Sequence, residues 1–90
     1  MFPDDLLSHL RQRPFEPFRI QVSDGTTYDV RHPELVMVGL GSVVIGLPPA
    51  GQDAPIYQRT ERVALSHIVK LLPLPAQPAG PGNGQLEPGG

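Results

Sequence analysis

Residues 18–30, FRIQVSDGTTYDV, constrain the fold of this chain more than any other stretch. Phe18, Ile20 and Val22 alternate with Arg19, Gln21 and Ser23. Beyond the Asp24-Gly25 pair, Tyr28 and Val30 alternate with Thr27, Asp29 and Arg31. A period of two on both sides of a turn signal is a β-hairpin with one wet face. The turn length sets the register. A two-residue Asp24-Gly25 loop pairs Ile20 with Asp29 and sends Tyr28 and Val30 to the polar face. A three-residue Ser23-Asp24-Gly25 loop pairs Val22 with Thr26, Ile20 with Tyr28 and Phe18 with Val30. All the apolar residues then share one face, and a one-residue slip would misplace every side chain. The sequence therefore predicts a type I turn with a G1 bulge and Gly25 in the left-handed region.

The flanking segments fit around this hairpin. Asp4, Asp5, Leu6, Leu7, Leu10 and Arg11 read as a short helix, acidic at its start and basic at its end, as the helix dipole favours. Leu6, Leu7 and Leu10 share a face, and Pro14 disfavours helix at Arg13. A helix this short must lie against a sheet. ELVMVG and SVVIGLP, around Gly39-Leu40-Gly41, are unbroken apolar runs. They read as two strands and a tight turn, buried on both faces or curled into a small barrel. Residues 48–55, PPAGQDAP, form a loop and 56–65 a fifth strand. Ser66-His67 reads as a short turn or one turn of 3₁₀ helix. IVKLLPL is a last strand closed by proline.

Composition bounds the rest. Residues 75–90, PAQPAGPGNGQLEPGG, have almost nothing apolar to bury and are expected to form a disordered tail. Residues 1–74 are expected to form one helix-plus-β domain. So few residues make a marginal core, and self-association is a reasonable source of added stability. Without cysteine, disulfide and thiol chemistry are excluded. No apolar stretch approaches the roughly 20 residues of a membrane span or the core of a signal peptide. A soluble, cytoplasmic setting is the expectation. The net charge of −2 gives no general attraction to phosphate backbones.

The expected fold class is mainly β (α+β). An N-terminal helix precedes a five- to six-stranded antiparallel small barrel or strongly curved sheet, SH3-like or Sm-like in element order. Curling hides sheet edges, but element order alone carries no function.

Pro14, Phe15, Pro17, Phe18, Ile20, Asp24, Gly25, Val30, His32, Pro33 and Glu34 spell PFxPFxI, a DG turn and VxHPE. With SVVIGL and VALSHIVKL downstream, this pattern resembles a family of short uncharacterised bacterial proteins. The resemblance covers roughly residues 5–74 and implies a fold, with no reaction attached to it.

The candidate functional residues are Arg31, His32, Glu34 and His67. His32 and Glu34 could act as base and orienter. The competing reading is structural: Pro33 cannot donate to a ladder, so it ends the strand while Glu34 caps turn amides. His9, His32 and His67 lie on three elements without a local metal-ligand spacing. His9 is expected to pair with Asp5, and His67 to satisfy turn backbone through its ring. Ser66-His67 with Ser42, Asp29 or Asp53 lacks the Gly-x-Ser-x-Gly context of a hydrolase. Gly39-Leu40-Gly41-Ser42 is too short for a phosphate loop. Arg19, Arg31, Arg59 and Arg62 alternate with Asp29 and Glu61, which favours cross-strand ion pairs over a phosphate-binding stripe.

No catalytic residue, cofactor or metal is expected, and nucleic acid and membrane are not expected partners. The reading is a non-enzymatic protein-binding or assembly module, with a protein partner or self-association. The alternatives are an Sm-like RNA-binding regulator and a small metal protein or enzyme centred on His32 and Glu34.

Overall fold

The hairpin register follows the three-residue loop. In a computed structural model, which describes residues 1–75, β1 (Phe18–Val22) runs antiparallel to β2 (Thr27–Val30). Phe18 opposes Val30, Arg19 opposes Asp29 and Ile20 opposes Tyr28. Val22 N donates to Thr26 O at 2.9 Å, Gly25 N donates to Val22 O at 2.9 Å, and Gly25 has φ 92°. Asp24 Oδ1 accepts from Thr26 N at 2.9 Å, closing the turn from its other side.

The helix α1 (Pro3–Arg11) precedes this hairpin. Pro3 occupies the first helical turn, where a missing N–H costs nothing. Asp5 Oδ2 accepts from Phe2 N at 3.3 Å, while Asp5 N donates to Phe2 O at 3.1 Å. Leu6 and Leu10 are buried. After β2, a 3₁₀ turn (Pro33–Leu35) leads to β3 (Val36–Val38), and a tight turn to β4 (Ser42–Leu47). In that turn Gly39 N donates to Ser42 O at 2.7 Å. A loop then reaches β5 (Arg59–Ala64), and a second 3₁₀ turn (Leu65–His67) joins it to β6 (Ile68–Pro73).

The strands form two three-stranded antiparallel sheets, ordered β2-β1-β6 and β3-β4-β5. Six strands and a mainly β architecture agree with expectation. The ladders do not close into a barrel. Pairing with β1 ends at Val30, and the chain pairs again only at Val36, past Pro33, which has no N–H to give a ladder. The core lies between the sheets and under the helix, built from Leu6, Phe18, Ile20, Val43, Ile45 and their neighbours. Each fully buried aliphatic or aromatic side chain there contributes about 1.5–3 kcal/mol by leaving water.

Three local expectations are corrected. The β3–β4 runs are not buried on both faces: Val43 and Ile45 point inward, whereas Met37 is 68% exposed. The polar outer partner is supplied by β5, where Arg62 opposes Val44. The fifth strand starts at Arg59 rather than 56. Ile56 N donates to Ala54 O at 2.7 Å in a local turn, which diverts Ile56 and Tyr57 from the ladder. His9 does not pair with Asp5; its ring packs on Phe18 at 5.2 Å between centroids.

The expected disordered tail falls on residues that, beyond Pro75, lie outside those described. Among the described residues no helix is long and apolar enough to cross a membrane.

Candidate functional site

A concavity opens in the gap between the two sheets. On one side runs β2 with its continuation through His32. On the other lie the end of β4 and the loop that follows it. Val30, Val36 and Ile45, all buried core residues, form its floor, and Leu35, Gly46 and Pro48 its walls. Arg31, His32, Asp29, Gln52 and Asp53 form the rim of this cavity of about 310 Å³. That volume lies at the small end of the usual range for ligand pockets.

The rim is held by two clasps. His32 lies in extended backbone just before Pro33, and the loop carries Asp53 back to it. His32 Nε2 lies 3.1 Å from Asp53 Oδ1 and 3.2 Å from Asp53 O. Both partners are acceptors, so Nε2 bears the proton and donates. The loop bends at Gly51, with φ 80°, and Gln52 N donates to Pro49 O at 3.1 Å. The second clasp is bidentate: Arg19 Nε donates to Asp29 Oδ1 at 2.7 Å and Nη2 to Oδ2 at 3.2 Å. The hydrogen bonds from Arg19 hold the Asp29 carboxyl below its ordinary range, helped by the nearby charge of Arg31, and raise the Arg19 guanidinium in turn.

A shallower concavity continues along β2. It is lined by Thr26, Thr27, Tyr28, Leu47, Arg59 and Glu61, and shares Asp29 with the deeper one. Here Arg59 Nη1 donates to Glu61 Oε2. Partial burial, reinforced by the charges of Glu61 and Asp24, pushes the Tyr28 hydroxyl pKa up.

The sequence-predicted residues divide. Arg31 and His32 meet at the deep cavity. Glu34 lies across the 3₁₀ turn, in a groove with Leu7, Leu10, Arg13 and Val36. One 3₁₀ turn after Pro33 is enough to separate it from His32, so the pair does not form a dyad. Nor does Glu34 cap turn amides: no side-chain cap is present, and Leu35 N instead donates to His32 O at 3.1 Å. His67 lies at the far end of β1, where its backbone carbonyl, not its ring, accepts from Ser23 N at 2.8 Å. Asp53, set beside His67 in the triad reading, is held by His32 instead. Among the described residues no group of three or more His, Cys, Asp or Glu could hold a metal ion.

Sequence reasoning missed Asp53 as the partner of His32, because the two are 21 residues apart and share no local pattern. It also passed over Gly46. A glycine inside an apolar strand signals close approach, and a Cβ there would stand 3.1 Å from Tyr57 Cβ and 3.3 Å from Leu35 Cδ2. No family model, curated protein or solved structure matches this chain.

Proposed function

We propose that this chain is a non-enzymatic protein-binding module and that the cleft between β2 and the β4 end is its seat. The observation that carries this reading is the make-up of the deep cavity. An apolar floor opens to solvent through a rim whose two carboxylates are already partnered, Asp29 by Arg19 and Asp53 by His32. Its lining has no Ser, Thr, Cys or Lys to serve as a nucleophile. Apolar surface framed by a few fixed polar groups suits binding. The exposed Met37, Leu40, Ile56 and Tyr57 add apolar surface elsewhere for partner contacts.

We also read the two sheets as the halves of a small SH3-like barrel, as the element order suggests. Three features support this: the order β2-β1-β6 with β3-β4-β5, the bent β2–β3 passage at Pro33, and the 3₁₀ turn between the last two strands. The Sm-like RNA-binding alternative is less favoured, because Arg19 and Arg59 are each engaged by a carboxylate.

Site-specific photo-crosslinking tests the binding reading. A benzophenone side chain at Gln52, on the cleft rim, should give one discrete protein adduct in the native host. The same probe at Glu16, which does not line the cleft, should not. The adduct should disappear in the Arg31→Glu variant, folded by circular dichroism. Absence of an adduct at Gln52 would refute the reading.

A further inference from the structure

We infer that the cleft takes an extended peptide segment as an added β-strand along the free edge of β2, with an acidic group of that segment on Arg31. This rests on the cleft being the binding seat.

In an antiparallel pair, only alternate residues exchange hydrogen bonds with the partner strand. Val22 pairs with Thr26 through Val22 N and Thr26 O. Counting along the register, Tyr28 and Val30 therefore bond to β1 through Ile20 and Phe18. The odd residues of β1 corroborate this. Pro17 O accepts from Leu74 N at 3.0 Å, and Ser23 N donates to His67 O at 2.8 Å, both on the β6 side. It follows that Thr27, Asp29 and Arg31 turn their N–H and C=O groups away from β1. β2 is an edge strand, and among the described residues these groups have no backbone partner.

The free edge does not face open solvent alone. The deep cavity is lined by residues 29–32 of this segment, the shallow one by residues 26–29, and Asp29 belongs to both. The two concavities therefore track the edge for its whole length. From Thr27 to Arg31 the edge spans about 13 Å, the length of a five-residue extended segment. Such a segment would satisfy the edge with its backbone and place alternate side chains in the concavities, the pattern of strand addition.

Charge identifies the segment further. Asp29 is ion-paired with Arg19 and Asp53 is hydrogen-bonded by His32, while Arg31 forms no ion pair among the described residues. A segment with an aliphatic side chain for the Val30–Val36–Ile45 floor and a nearby Asp or Glu fits this rim.

A random nine-residue peptide library on phage, selected against the full chain, supplies the probe. A selected peptide is resynthesised with a fluorescein label and its backbone N-methylated one residue at a time. The expected consensus alternates apolar or β-branched residues and contains an acid. N-methylation at alternate positions should weaken binding at least tenfold, and at intervening positions less than threefold. Arg31→Gln should weaken it at least fivefold, and Arg62→Gln, on the outer face of β5, should not. Failure to enrich such peptides, or indifference to N-methylation, would overturn the inference. So would sedimentation of the chain alone as a dimer whose β2 edges pair. If peptides crosslink at Gln52 but ignore N-methylation, strand addition fails while the cleft reading survives. Loss of the native adduct at Gln52 would sink both.

Discussion

His32 Nε2 holds Asp53, 21 residues downstream, at 3.1 Å, and so fastens the loop after β4 to the end of β2. The Asp53 side chain is 54% exposed and that of His32 26%. Exposed pairs of this kind contribute little to global stability. Asp53→Ala should therefore change unfolding free energy by no more than about 1 kcal/mol. Hydrogen exchange at Gly51 and Gln52 should nevertheless quicken, because the clasp restrains the loop. Global unfolding of this variant would show that the loop belongs to the core.

Gly25 sits at φ 92° with nothing within 4 Å of the position a Cβ would take. The cost of a side chain there is conformational alone. Gly25→Val should destabilise by about 1 kcal/mol or more, and Gly25→Asn by clearly less. Urea denaturation of both variants checks this, and equal stability of all three proteins would contradict the turn assignment.

Gly46 is closed in by packing. Its Cβ would stand 3.1 Å from Tyr57 Cβ and 3.3 Å from both Leu35 Cδ2 and Leu35 O. Gly46→Val should cost about 1–3 kcal/mol through overpacking. The same urea experiment reads it, with Gly46→Ala falling between valine and the native protein.

Acid should weaken the hairpin. Asp29 is held below its ordinary range chiefly by the Arg19 hydrogen bonds, and Asp24 chiefly by the Thr26 backbone N–H. A carboxyl depressed in the folded state contributes stability above its unfolded pKa, about 3.9. That contribution is lost as pH falls through the lower folded value. The thermal midpoint should therefore fall below about pH 4. Asp29→Asn should lower the midpoint at neutral pH and flatten the acid fall, and an unchanged acid slope would show that Arg19 gives Asp29 no net stabilisation.

The sequence carried the hairpin to the residue, because one register alone puts Phe18, Ile20, Tyr28 and Val30 on one face. The turn at Ser66-His67 was equally local, but Leu65, its first residue, read as the end of the fifth strand. The β3–β4 run misled, because Val36–Val38 and Val43–Ile45 have no polar residues to mark an outer face; the charge opposite them comes from Arg62, on another strand. Half of the site was legible. Arg31 and His32 stand between the end of β2 at Val30 and the turn at Pro33, whereas Glu34 is carried to another groove by a single turn. Asp53 was invisible because a contact between distant loops leaves no periodic signal.

Amide hydrogen exchange, measured residue by residue by NMR, reports whether β2 presents free backbone groups to the cleft. In the chain alone, the amides of Tyr28 and Val30 should be protected by β1, while those of Thr27, Asp29 and Arg31 should exchange fast. Adding a selected peptide should slow Asp29 and Arg31 at least tenfold. Equal protection of Asp29, Arg31, Tyr28 and Val30 in the chain alone would contradict the account, because the edge would then already be occupied.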